Sequence, residues 1–145
     1  MVEDLHIFTD GGSRGNPGNA AIGVVVYAHD SNVIFEKSVY IGIATNNTAE
    51  YQAVVEALEW LVPYANEHGV KNIAFFSDSQ LLVEQVCGRY KIKQQHIQQF
   101  YLKISRLREQ LSTIGAATTF THIPREKNTH ADALVNAALD AQKIV

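Results

Sequence analysis

One cysteine, Cys87, occurs in the 145 residues, so no disulfide can form within the chain and no thiolate spacing marks a zinc site. No apolar run approaches the roughly 18 residues that a membrane-spanning helix needs, and the N-terminus begins with acids rather than a basic signal region. Low-complexity tracts and internal repeats are missing as well. Disulfide-stapled, membrane-spanning and disordered classes are thereby set aside, and a soluble cytoplasmic protein is expected. What is present is an ordinary globular balance, 46% hydrophobic and 19% charged. That suffices for one core, and residues 1–145 read as a single domain. Met1 stands just before the first expected strand and Val145 just after the last expected helix, a compactness that favours an independent protein, and a monomer is expected.

Acids are scarce in one place. The net charge is −3, yet no Asp or Glu falls between Gln85 and Arg108, a stretch with six of the 12 Lys and Arg residues. Charge alone is most simply a solvated helix face. Its closeness to Asp78 is what makes it a candidate contact for a polyanion.

Hydrophobic patterning gives the order β-β-β-α-β-α-α-β-α. Leu5 to Asp10 is apolar on both faces and reads as a central strand, stopped by the turn-rich Gly11-Gly12-Ser13-Arg14-Gly15-Asn16-Pro17-Gly18. Ala20–Tyr27 and Val33–Ile43 read as strands joined by a hairpin at His29–Asn32. A helix is expected from Asn47 to about Tyr64, capped by Thr48 or Asn47, with Pro63 at its far end. Lys71–Ser77 reads as a strand, Ser79–Val86 as a short helix broken by Gly88, and Gln95–Leu111 as an amphipathic helix. Ala116–Ile123 is the fifth strand and Thr129 to about Gln142 the last helix. The implied class is α/β: a mixed five-stranded sheet, antiparallel early and parallel later, flanked by helices.

Four acids sit at element ends: Asp10, Glu50, Asp78 and Asp132. Each has an ordinary explanation as a turn former or helix cap, the caps being worth about 0.5–2 kcal/mol. Glu50, however, shares a helical stripe with Ala53, Val54, Ala57 and Leu61, and Asp132 lies beside Val135 and Leu139, so both border the core face. Element ends in an α/β domain converge on one edge of the sheet. Gathered carboxylates repel unless a cation sits among them, and all-oxygen ligands favour magnesium or manganese.

The segments Thr9-Asp10-Gly11-Gly12-Ser13-Arg14-Gly15-Asn16-Pro17-Gly18, Thr45-Asn46-Asn47-Thr48-Ala49-Glu50-Tyr51, Ser77-Asp78-Ser79 and Asn128-Thr129-His130-Ala131-Asp132 follow one another in an order and spacing that closely resembles ribonuclease H of type 1. The resemblance runs from the first strand to the last helix. It implies the ribonuclease H-like fold, with strands 1–3 antiparallel and strands 4 and 5 parallel to strand 1. It also implies a metal-dependent endoribonuclease that hydrolyses the RNA strand of RNA–DNA hybrids, leaving 5′-phosphate and 3′-hydroxyl ends. Asp10, Glu50, Asp78 and Asp132 would hold two Mg2+ ions, with Mn2+ as a substitute. The same resemblance implies that Gly11 and Gly12 lie against the ribose, that Asn16, Thr45 and Asn46 contact the DNA strand or its phosphate, and that Gln80 contacts the minor groove.

Two departures from the family pattern matter. The basic, Trp-containing protrusion of many bacterial relatives is replaced by Gly88-Arg89-Tyr90-Lys91-Ile92-Lys93, leaving Lys91, Lys93 and Arg89 to compensate in part by contacting phosphates. The loop before Asp132 also lacks the histidine that some relatives carry there. Arg125 is the candidate for that auxiliary role, with Glu126 second, and His122 and His130 are expected to be structural. Other readings are a broader nuclease that also cuts double-stranded RNA, a hybrid-binding protein without catalysis, and a domain of a reverse transcriptase.

Overall fold

The computed structural model describes residues 4–142; Met1 and Val145 lie outside them. The sheet is built from β1 (Asp4–Arg14), β2 (Gly18–Ala28), β3 (Val33–Ala44), β4 (Asn72–Ser77) and β5 (Ala117–His122), in the order β3-β2-β1-β4-β5. β1 pairs antiparallel with β2, and β2 with β3, whereas β1–β4 and β4–β5 are parallel. This is the mixed sheet expected from the sequence, with β1 in its middle. The helices are α1 (Asn46–His68), α2 (Gln80–Val86), α3 (Gln95–Thr113) and α4 (Thr129–Gln142). No described helix is long and apolar enough to cross a membrane.

Strand periodicity divides the core. Leu5 and Ile7 of β1, Ile22, Val24 and Val26 of β2, and Ile73 and Phe75 of β4 join the buried residues of α1, α2 and α3 in the main cluster. On the other face α4 lays Val135 and Leu139 against Ala21, beside Tyr40. β2 is therefore buried on both sides from Ala20 to Val26. Small residues set the helix distances. A Cβ on Gly23 would lie 2.3 Å from the Ala131 carbonyl oxygen, so glycine there lets α4 settle on the sheet.

Three boundaries differ from the sequence reading. The segment after Asp10 is not a turn: β1 continues to Arg14, with Gly11 opposite Ile22, Gly12 opposite Ala21 and Arg14 opposite Asn19. Continuous pairing with β2 outweighs the poor strand propensity of glycine, and the turn shrinks to residues 15–17. α1 passes through Pro63 to His68, because the buried stripe continues through Leu61 and Ala65 and outweighs the one hydrogen bond that proline forfeits. It ends at Gly69, whose φ of 69° permits the left-handed cap. At its start the cap is Thr45, not Thr48 or Asn47; the Thr45 hydroxyl accepts from the Thr48 amide at 3.2 Å.

Candidate active site

Asp10 lies on the middle strand, Glu50 in the first turns of α1, and Asp78 immediately after β4, whose parallel pairing brings Ser77 beside Thr9. One carboxylate oxygen from each of the three falls within 4.8 Å of the others. The Gly11 amide donates to Asp10 Oδ1 at 3.0 Å and to Glu50 Oε1 at 2.9 Å, bridging the two acids. That contact is possible because β1 and α1 nearly touch: a Cβ on Gly11 would lie 2.3 Å from the Ala49 carbonyl carbon.

Burial decides the electrostatics. Asp10 is 7% and Glu50 9% exposed. Loss of solvation pushes the Asp10 carboxyl up to about 7, the charges of Asp78 and Asp132 adding to the effect against the hydrogen bonds that lower it. Glu50 is also driven well above its usual range, by burial first and then by Asp10. Asp78 Oδ2 is buried with no hydrogen-bond partner among the described residues, a costly arrangement for a lone acceptor. Three hard oxygen donors, one of them without a donor partner, fit a divalent cation.

Asp132 is outside that group of three but lines the same cleft, a cavity of about 530 Å³. It stands in the first turn of α4, where its amide donates to the Asn128 carbonyl at 3.1 Å. The Asn128 side chain, 1% exposed, donates to the Thr9 carbonyl at 2.9 Å. One buried asparagine thus ties the start of α4 to the strand residue before Asp10. The sequence reading quoted Asn128 within a motif without giving it a task, and its only prior signal was that membership.

Of the other residues named from the sequence, Gly11, Gly12, Asn46 and Arg125 line this cleft. Arg125 opens a single 3-10 turn, Arg125–Lys127, before α4. Asn16 is exposed in the turn after β1, and its Oδ1 accepts from the Asn46 amide at 3.0 Å, while Asn46 Oδ1 accepts from the Ser13 amide at 2.8 Å. Thr45 is engaged as the α1 cap, and Gln80 is exposed at the start of α2. Lys91 and Lys93 line a neighbouring groove that meets the cleft at Asn47 and Leu81. The backbone there is fixed from below: Tyr51 Oη donates to Gln85 Oε1 at 2.7 Å, and Gln85 Nε2 donates to the Lys91 carbonyl at 3.2 Å.

The basic stretch divides on inspection. Arg89 is bound in two places by Glu84, Lys103 lies 3.2 Å from Glu59, and Arg108 holds Thr118 and stacks over Phe120. Lys91 and Lys93 have no such partner among the described residues. His122 is exposed at the end of β5. His130 is held between the Tyr27 hydroxyl, at 2.6 Å, and Glu36.

Comparison with known proteins agrees with this geometry. Residues 8–138 match the family described as reverse transcriptase-like. The chain is 41% identical over 136 residues to a bifunctional protein of Mycobacterium tuberculosis, covering 93% of this chain and 35% of that protein. It is 40% identical over 136 residues to ribonuclease HI of Halobacterium salinarum, covering 94% of this chain and 64% of that one. The chain thus spans from about a third to just under two thirds of the length of these relatives. Among solved structures, LC11-RNase H1, isolated from compost by a metagenomic approach, superposes with a TM-score of 0.87 at 41% identity, over 98% of this chain and 99% of that one. The same LC11-RNase H1 has been solved in complex with an RNA/DNA hybrid.

Proposed function

The chain belongs to the type 1 ribonuclease H family, and from that membership we propose that it hydrolyses the RNA strand of RNA–DNA hybrids, leaving 5′-phosphate and 3′-hydroxyl ends. The observation that carries the reading is the convergence of Asp10, Glu50 and Asp78, the last with its Oδ2 buried and without a hydrogen-bond partner among the described residues, in a cleft that Asp132 also lines. The family requires a divalent metal; Mg2+, with Mn2+ as a substitute, is the proposed ion, and two are proposed with substrate bound. Such ions supply positive charge at the attacking and leaving oxygens of an in-line displacement.

The chain's own residues do the rest. Asp10, on the middle strand, would help hold both ions. Glu50 and Asp78 would serve the leaving-oxygen side and Asp132 the side of the attacking water. The Gly11 amide holds Asp10 and Glu50 in register. Gly12 keeps the cleft wall low, since a Cβ there would meet nothing closer than 3.7 Å. Contacts that distinguish ribose from deoxyribose must reach the 2′-hydroxyl, and Glu50 with nearby backbone amides would supply them. Asn16 and Asn46, linked by a hydrogen bond, and the α1 cap Thr45 would contact the DNA strand, with Gln80 at the minor groove and Lys91 and Lys93 at phosphates. A monomer is proposed.

The test is cleavage of matched RNA–DNA, RNA–RNA, DNA–DNA and single-stranded RNA oligonucleotides, each with Mg2+ and with EDTA. Mg2+-dependent cutting of the RNA strand in the hybrid alone is expected. Cutting of RNA duplexes as well would establish the broader nuclease, and no cutting with Mg2+ or Mn2+ would leave a binding protein. In the same assay Arg125→Ala is expected to lower turnover about tenfold, equivalent to about 1.4 kcal/mol of barrier; unchanged turnover removes Arg125 from the reaction. Replacing Lys91 and Lys93 with Gln is expected to weaken hybrid binding at moderate salt, and equal binding would mark that segment as a solvated face.

A further inference from the structure

Arg14 and Arg125 are the two arginines on the walls of the cleft. Arg14 ends β1, four residues beyond Asp10 and on the same face of the strand. Its Nη2 lies 2.8 Å from Asp140 Oδ1 and donates to Asn136 Oδ1 at 3.3 Å. Asn136 Nδ2 in turn donates to Asp132 Oδ2 at 3.3 Å. Asp132, Asn136 and Asp140 recur every fourth residue of α4, so they share a helix face, and Arg14 reaches across to it. The side chains of Arg14 and Asp140 are 34% and 64% exposed. An ion pair so exposed contributes about 0–1 kcal/mol, which makes Asp140 a partner that a stronger anion displaces at little cost.

We propose that Arg14 is a substrate-binding residue that takes a backbone phosphate of the nucleic acid in the cleft, exchanging Asp140 for it. The inference rests on the hybrid-cleaving reading and extends it. A guanidinium presents a planar fork that matches a phosphate in two places. Four residues of strand put Arg14 about 13 Å from Asp10 along the backbone. That is too far for the scissile group and suited to a phosphate flanking it. The cleft otherwise concentrates Asp10, Glu50, Asp78 and Asp132, so a polyanion lying over them needs a fixed cation on the α4 side. Arg14, at the end of β1 against α4, supplies such a cation, and Asp140 holds its side chain at the rim while no substrate is present.

The test is binding of a fluorescently labelled RNA–DNA hybrid to the full chain in EDTA, followed by anisotropy from about 50 to about 200 mM salt. Wild type, Arg14→Ala, Asp140→Asn and the double variant are compared. Arg14→Ala is expected to raise Kd about five- to tenfold at low salt and to flatten the slope of log affinity against log salt by about one. Asp140→Asn is expected to tighten binding about twofold in the wild type and to have no effect once Arg14 is gone. Equal affinities of wild type and Arg14→Ala across the salt range overturn the inference. So does equal tightening by Asp140→Asn with and without Arg14, which would mean that Asp140 acts only as a general charge. The Mg2+ cleavage assay separates the two levels: wild type that fails to cut hybrid removes the proposed function itself, whereas normal wild-type cleavage with variants indifferent in binding removes only the role of Arg14.

Discussion

Asp10→Asn is expected to reduce hybrid cleavage by about three orders of magnitude or more and, in the same molecule, to raise the melting temperature in EDTA at pH 8. The two effects share one cause. Folding lifts the Asp10 carboxyl from its ordinary 3.8 to about 7, because burial strips it of water and Asp78 and Asp132 add their charges. The folded state therefore holds this proton more tightly than the unfolded chain does. Its contribution to stability is complete below about pH 4 and is lost as pH rises through about 7. Asparagine keeps the shape and never ionises, so it escapes that loss, worth of order 1–3 kcal/mol. Each kcal/mol corresponds to about 2–6 °C in Tm for a chain of this size. At pH 4 the advantage should vanish, and Mg2+ should stabilise the wild type more than the variant. Melting curves at pH 4 and pH 8, with EDTA and with Mg2+, give all four corners. A variant less stable than wild type in EDTA at pH 8 would contradict the electrostatic account, and unchanged cleavage would remove Asp10 from the metal site.

Gly11→Ala and Gly12→Ala, adjacent substitutions in one strand, are expected to have opposite outcomes. A Cβ at Gly11 would stand 2.3 Å from the Ala49 carbonyl carbon, 2.4 Å from its oxygen and 2.4 Å from the Glu50 nitrogen. All three are backbone atoms of α1, so no rotamer change relieves the clash and the helix itself must move off the sheet. The cost is expected to be about 3 kcal/mol or more, and the amide that bridges Asp10 and Glu50 would be displaced with it. At Gly12 the nearest atoms are Val135 Cγ1 at 3.7 Å and Asn46 Oδ1 at 4.0 Å, ordinary contacts. Alanine there is expected to change stability by less than about 0.5–1 kcal/mol. Urea unfolding of the two variants decides the matter; equal midpoints would mean that α1 is not pinned at Gly11.

The strand and helix order was legible because period-2 and period-3.6 patterns are local, and the expected mixed sheet is the one observed. The carboxylates were legible for a related reason: Glu50 and Asp132 stand beside apolar stripes, where an acid is conspicuous. What escaped depends on partners far along the chain. Gly11, Gly12 and Ser13 carry a turn-like composition, yet β2 pairs with them as strand. Pro63 looks like a stop, yet burial of Leu61 and Ala65 carries α1 past it. Asn128 reaches a carbonyl 119 residues away, a contact with no local trace. Arg14 sat in a quoted motif, but its relation to Asn136 and Asp140 exists only once α4 lies across the end of β1.

The clasp between Asn128 and Thr9 also bears on biosynthesis. Three of the four acids have been made by residue 78, and β1, β2 and α1 form a largely local unit that can assemble as it leaves the ribosome. Asp132 and its asparagine are translated fifty or more residues later. A nascent chain shorter than that carries the beginnings of a cation site but lacks the wall contributed by α4. If the chain cuts hybrids as proposed, that capacity is withheld from partly made chains and arrives with the last helix.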